Sequence, residues 1–279
     1  MREGCVKAIG MRVRLQIWAT AVIALCVSAP ALHAQDANQI VEQAVQTELE
    51  SARNDHSHWR YLEHEAGGDL LVVVETQFGA ISRHIEHNGK PASPELLADD
   101  DAKNQRFIHD PSLQAKQRQN GAHDDKSAAE LLQQMPTAFD WKVDRVDSEN
   151  ITLSYRPNPD YDPPDMESRV MGAMSGSMVV SRDSHRIRTF KGRLMQDVTI
   201  GFGLLARIKA GGTFDIERRP ISSGIWQITE THVHISGHAL FFKTIGQQQD
   251  EVKTDFTPVP PGTTLEQAVP MLNVKAKPE

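Results

Sequence analysis

Histidine is the residue type in this chain with the most chemical scope, and it is clustered. His56-Ser57-His58 is followed by His64, and His232-Val233-His234 by His238. On a strand, alternate residues face the same way, so each cluster can present two imidazoles side by side. Two imidazoles and a third ligand would suit zinc. A metal centre also needs partners that orient its ligands from behind, and the pattern supplies none. The reading favoured is surface histidines on a polar sheet rim, with no metal and no cofactor assigned. The acidic run Asp99-Asp100-Asp101 and the pair Asp124-Asp125 lack the glycine-and-glutamate loop of a calcium site. Gly201-Phe202-Gly203-Leu204-Leu205-Ala206 starts like a dinucleotide loop but has no third glycine, and Gly172-Ala173-Met174-Ser175-Gly176 carries its serine one place late for a nucleophile elbow. No catalytic residue is assigned, and the expectation is a protein that is not an enzyme.

What remains is apolar. Trp59, Tyr61, Phe139, Trp141, Leu204, Leu205, Trp226, Phe241 and Phe242 are the candidates for a ligand-binding cavity. Large aromatics more often form plain core. The alternative is that some line the concave side of a sheet that curves without closing. Such a surface could hold an acyl chain through burial alone, at about 0.8 kcal/mol per CH₂.

The elements that must position these residues read mainly as strands. Asp36 to Asn54 predicts an amphipathic helix with Val41, Val45, Leu49 and Ala52 on one face. His58 to Ile85 has strand character, with Gly67-Gly68 and Phe78-Gly79 as turns, and Asn88-Gly89 leads to a Pro-rich exit. Ser93-Pro94 opens a second helix. The charged stretch from Asp99 to Lys126 reads as a solvated helix or mobile insertion anchored by Phe107, Ile108 and Leu113. A capping box at Ser127–Glu130 starts a short helix that ends at Pro136. Phe139–Val143 and Ile151–Tyr155 alternate as a hairpin, and Pro157–Pro164 is a loop. Strands are expected at 176–181, 185–200, 212–218, 224–236 and 240–254, with a Pro-rich tail from 258 to 279 over the surface. The expected fold class is α+β, mainly antiparallel β, with about ten strands.

Compartment and partners follow from the ends and the charge. Arg2, Lys7, Arg12 and Arg14 precede an uncharged apolar run, Leu15–Val27, and the small residues around Ala29-Pro30-Ala31 and Ala34. This is the order of a secretory signal peptide, residues 1–34, whose core is too short to span a membrane. Leu25 before Cys26 is not the small residue of a lipoprotein signal. Both cysteines, Cys5 and Cys26, lie in that leader, so the mature chain has no disulfide, which fits a bacterial periplasm. Removing the leader leaves 26 basic and 36 acidic residues, against 30 and 37 in the whole chain. Nucleic acid is excluded as a partner, because that affinity comes from basic residues on phosphates.

The second half resembles the LolA/LolB/RseB superfamily, in particular a bacterial LolA-like outer-membrane lipoprotein-sorting group. The resemblance rests on Phe139-Asp140-Trp141, the loop from Pro157 through Tyr161 to Pro163-Pro164, and Met171–Val180. It continues with Asp197–Ala206, Gly211-Gly212-Thr213-Phe214 and Gly237–Lys243, preceded by Gly89-Lys90-Pro91 and Ser93-Pro94-Glu95. It implies one domain over 35–257: an incomplete, half-open β-barrel covered by the N-terminal helix and a helical insertion at about 93–135. It also implies a periplasmic, non-catalytic role in binding an acyl chain or lipoprotein, with lipoprotein sorting as one such role, beside a membrane-anchored transporter or regulator. The arginine that carriers of this type use to close their lid has no assigned position here. Two other readings stand beside it. An RseB-like envelope sensor would bind a protein partner, but about 20 residues after the last strand are too few for that type's second domain. A metal-dependent hydrolase would rest on the histidine pairs.

Overall fold

The computed structural model describes residues 29–200, 206–239 and 244–273, with side chains over 37–199, 207–236 and 248–273. Leader residues 1–28 and the cavity candidates Leu204, Leu205, Phe241 and Phe242 lie outside the described residues, as does most of the Gly201–Ala206 motif. In chain order the elements are α1 (Ala29–Asn54), β1 (His58–Glu65), β2 (Asp69–Thr76), β3 (Gly79–His87), β4 (Lys90–Pro91), α2 (Pro94–His109) and α3 (Pro111–Ala138). Then come β5 (Phe139–Val146), β6 (Asn150–Pro157), α4 (Met166–Gly172), β7 (Met174–Ser181), β8 (Ile187–Leu194), β9 (Val198–Ile200) and β10 (Ala206–Ile208). The chain ends with β11 (Thr213–Ser222), β12 (Ile225–Ala239), β13 (Thr244–Val259), α5 (Leu265–Ala268) and a 3-10 turn, Val269–Leu272.

All strands join one open antiparallel sheet in the order β4-β3-β2-β1-β13-β12-β11-β8-β7-β6-β5, with β10 paired to β12 and β9 to β10. The fold is α+β, as the alternating apolar pattern leads one to expect. Register shows how the core is distributed. Val143, Leu153, Met178, Phe190, Ile216, Thr231, Glu251 and Glu65 form one continuous row of paired residues across eight strands. Directly paired residues share a face, so this row defines one side of the sheet, called here the interior face. Along the row the side chains change from apolar to charged. Glu63 and Tyr61 follow Glu65 by alternation, so Trp59, Tyr61, Leu71 and Val73 lie on the same face.

Helices cover the sheet in two ways. At the β5–β8 end, α1 supplies Ala37, Val41, Ala44, Val45 and Leu49 to a core with Phe139, Trp141, Leu153, Tyr155, Met178 and Val180. At the β1–β3 end, α5 and the 3-10 turn bring Leu265, Ala268 and Leu272 against Val72, Val74 and Ile81 on the opposite face, with Ile108 of α2.

The helical insertion is anchored more firmly than its charge suggested. Asn104 Nδ2 donates to the Ser82 carbonyl (2.9 Å), Asp100 Oδ2 accepts the His84 N–H (2.9 Å), and Gln117 bonds both the N–H (2.8 Å) and the carbonyl (3.3 Å) of Ala80. Side chains of α2 and α3 thus occupy the edge of β3 as a neighbouring strand would, which protects it from pairing with another chain.

Several expected boundaries differ. The first helix begins at Ala29 rather than Asp36. Ser127 and Pro136 lie within α3: the helix runs two residues past Pro136 at the cost of that residue's N–H bond, and Met135 and Ala138 are buried. The loop after Pro157 contains α4, capped by Asp165, whose Oδ1 accepts the Ser168 N–H (2.7 Å). Asn88-Gly89 does lead to a partner, the two-residue β4. Residues 258–273 are not a trailing tail. Thr264 and Gln267 form a capping box, and Arg60 Nε donates to the Met271 carbonyl (2.7 Å).

Candidate functional site

The interior face beneath α1 is the strongest candidate site, because it gathers the aromatic residues and one buried ionic cluster. The buried stripe of α1 is Ala37, Val41, Ala44, Val45, Glu48 and Leu49, while Ala52 is exposed. Spacings of three and four put Glu48 among the apolar residues. Its position relative to Val41, Ala44 and Val45 was the signal that could have revealed it from sequence.

Glu48 is 3 % exposed, and an unpaired charge there would be costly. Two arginines from the sheet compensate it. Arg186, itself buried, meets it in a two-pronged pair, Nε to Oε1 and Nη2 to Oε2, each 3.0 Å. Arg218 of β11 also donates to Oε2, and the Ile187 N–H donates to Oε1 (2.8 Å). Burial alone would raise the Glu48 carboxyl pKa. The Arg218 charge and the hydrogen bonds from both guanidinium groups outweigh it, so the pKa is lowered. The turn between β7 and β8 positions Arg186: Ser181 N–H donates to the Arg186 carbonyl (2.9 Å), and His185 takes a positive φ of 54°. Arg186 and Arg188 both lie over the Trp226 ring, at 5.7 and 5.5 Å.

Phe139 and Trp141 come together as expected, but as packed core. Trp141 stacks against Phe139 and Tyr155, Tyr155 against Phe190, and Phe190 against Phe214. Trp141 Nε1 donates to the Met135 carbonyl (3.0 Å), tying α3 to β5. Gly192 permits this ladder, since a Cβ there would meet Phe214 and the Tyr155 hydroxyl. Trp59 and Tyr61 form a separate group with Leu71, Val73 and Phe256. Trp226 belongs to neither and sits with the arginines.

Between the two apolar groups the interior face carries Glu63, Glu75, Glu251 and Lys253. Lys253 Nζ lies 3.4 Å from Glu63 and 3.8 Å from Glu251. Burial pushes the Glu63 and Glu75 carboxyl pKa values up, and these carboxylates with burial raise that of the Tyr61 hydroxyl. Beside the Glu48 cluster a cavity of about 520 Å³ is lined by Arg188, Arg218, Arg219, Asn150, Thr189 and Glu217 among others. Arg188 Nε and Asn150 Oδ1 are buried with no hydrogen-bond partner.

Of the predicted histidine clusters, His232 and His234 do share a face, the one opposite α1. Both contact a single carboxylate, Asp250, at 2.8 Å from His232 Nδ1 and 2.8 Å from His234 Nε2. His56, His58 and His64 belong to no metal-like grouping among the described residues, and the His238 side chain lies outside them. No helix among the described residues is long and apolar enough to cross a membrane. Neither a protein-family model, nor a curated protein, nor a solved structure matches this chain.

Proposed function

We propose that this is a non-catalytic binding protein of the bacterial periplasm. In this reading the sheet is an incomplete barrel whose interior face shelters the acyl chain of a lipid or lipoprotein, and α1 is its removable cover. The observation that carries the reading is the seam between α1 and the sheet. Four of its apolar residues are small, Ala37, Val41, Ala44 and Val45, and among its described side chains the one buried polar residue, Glu48, is latched by Arg186 and Arg218. An acyl chain would compete with this helix for the same apolar surface, gaining about 0.8 kcal/mol per buried CH₂. Alanine and valine forfeit less on exposure than leucine or phenylalanine would. The latch adds orientation, since a buried ion pair fixes register more than it stabilises. The cavity beside the latch, where Arg188, Arg218 and Arg219 outnumber the single acid Glu217 among its lining residues, offers a place for an anionic head group.

The test is a lipid inventory. Protein purified from an envelope fraction and examined by native mass spectrometry should carry acyl lipid, and a fluorescent fatty-acid probe should bind more tightly to Glu48→Gln than to the parent chain. Lipid-free protein in which neither form takes up the probe would end the proposal.

A further inference from the structure

A second cluster of histidines lies where the sequence patterns did not point. It occupies the end of the sheet where the β1–β2 and β3–β4 turns meet. We propose that Asp69, His84 and His87 form a binding site for a divalent transition-metal ion of the zinc class. One ligand atom from each of the three lies within 4.8 Å of the others. Tetrahedral bonds of 2.0–2.2 Å place ligand atoms roughly 3.3 Å apart, so small side-chain rotations complete the set.

The frame behind these side chains is built from backbone. Gly89 N–H donates to the Gly68 carbonyl (2.7 Å), which staples the two turns together. A Cβ on Gly68, whose φ is +89°, would come within 2.8 Å of the Gly89 nitrogen, so only glycine allows this approach. Asn88 and Gly89 both have positive φ, 54° and 70°, as a tight two-residue hairpin turn requires. The Asn88 N–H donates to Asp69 Oδ1 (2.8 Å), and His87 Nδ1 lies 2.9 Å from the same oxygen. Among the described residues, the Asn88 N–H and His87 both meet Asp69 at Oδ1, so Oδ2 is the oxygen Asp69 would turn to the ion.

His84 has the oriented partner that a metal ligand needs. Asp100, 5 % exposed, takes His84 Nδ1 at 2.7 Å and the His84 backbone N–H at 2.9 Å. Nδ1 is thereby engaged, which leaves Nε2 as the nitrogen for a cation, with a carboxylate behind the imidazole. Two imidazoles and one carboxylate suit zinc, copper or nickel rather than calcium or magnesium. Three protein ligands leave a coordination position for water or an anion. The ion would join β2, β3 and, through Asp100, α2.

The other histidine pair shows the contrast. His232 and His234 both spend a ring nitrogen on Asp250, which bridges them, and the three do not converge as a ligand set. They serve as the internal control.

The experiment uses untagged full-length chain with Cys5→Ser and Cys26→Ser, so that the leader thiols cannot compete. Zinc titration by calorimetry at neutral pH should saturate at one ion per chain. His87→Ala, an exposed position that folding should tolerate (51 % exposed side chain), and Asp69→Asn should each weaken binding at least about 100-fold. Asp100→Asn should weaken it by about 10–100-fold. The double variant His232→Ala, His234→Ala should bind as the parent does. Cobalt in place of zinc should give visible absorption that His87→Ala abolishes. No saturable zinc binding, binding unchanged in His87→Ala and Asp69→Asn, or loss in the His232/His234 variant instead would each overturn the assignment.

Discussion

The interior face holds carboxylates away from water at two places, Glu48 buried and Glu63 and Glu75 half-buried, and they behave oppositely. Under α1, Glu48 is held by Arg186 and Arg218 and its pKa is lowered. Toward β1 and β2, Glu63 and Glu75 share one lysine, Lys253, and their pKa values are raised. All three pay the same kind of desolvation cost. What differs is the partner. A guanidinium matches a carboxylate with two parallel donors, whereas an ammonium acts as one point charge divided among several acids. The α1 end therefore contains a charge that needs its partners in order to fold. At the β1–β2 end burial disfavours the charged form of both acids, and one lysine offsets it only in part.

The sharpest way to break this contrast is Glu48→Ala. It strands Arg186 in the core, and removing one member of a buried pair typically costs about 3–5 kcal/mol. Urea denaturation should show a loss of that size. A loss below about 1 kcal/mol would mean that α1 is held by its apolar stripe alone.

Gly192→Ala tests the aromatic ladder under α1. The added methyl must displace Phe214 or Tyr155, and overpacking of this kind costs about 1–3 kcal/mol. Near-UV circular dichroism should lose aromatic signal with the stability. An unchanged spectrum would show that the ladder has room to yield, and would favour an interior with space for a guest.

The two ends also differed in how far the sequence disclosed them. The hairpin of β5 and β6 was plain from alternation, because each strand has one buried and one wet face. The first helix is plain from its period, and Val41, Val45 and Leu49 do lie in the seam, but the apolar pattern adds Ala52, which is exposed, and passes over Glu48, which is buried. The apolar rule discounts an acid even when spacing places it in the seam. Arg186 and Arg218 were invisible, since only the tertiary fold brings them 138 and 170 residues along the chain to Glu48. The insertion was read as solvated because its charged residues outnumber its apolar ones. Asp100, Asn104 and Gln117 instead spend their polarity on the edge of β3, a use no periodicity displays. The Thr264–Gln267 capping box was readable and marks α5. The closeness of His84, His87 and Asp69 shows in no sequence pattern, because Asp69 comes from another strand.

Asn104→Ala sharpens the edge at the β3 end. It leaves the Ser82 carbonyl without its 2.9 Å donor, and one such loss costs about 1 kcal/mol. Hydrogen exchange should accelerate in β3 and α2 while β5–β8 stays protected. Faster exchange throughout would show that the two ends unfold as one unit.

Glu75→Gln is the smallest and most diagnostic change. The amide keeps an acceptor for the Trp59 N–H, which Glu75 Oε2 accepts at 3.3 Å, but removes the buried charge. Because the folded-state pKa of Glu75 is raised, its stabilising contribution is present below the unfolded value near 4.5 and is lost as pH rises through the folded value. The variant should therefore gain up to about 1 kcal/mol at pH 7 and nothing at pH 4. Glu48 has the reverse sign: its contribution is present above 4.5 and is lost as pH falls through its lowered folded value. On acidification the parent chain should thus gain stability from Glu63 and Glu75, and lose it as the α1 latch protonates together with the exposed carboxylates whose pKa is also lowered, such as Asp147 and Asp250. Thermal melts across pH 3–8 would show a maximum below neutrality that flattens in Glu75→Gln. A parent curve that falls steadily from pH 7 downward would mean the latch, and not the acid belt, governs both ends of this face.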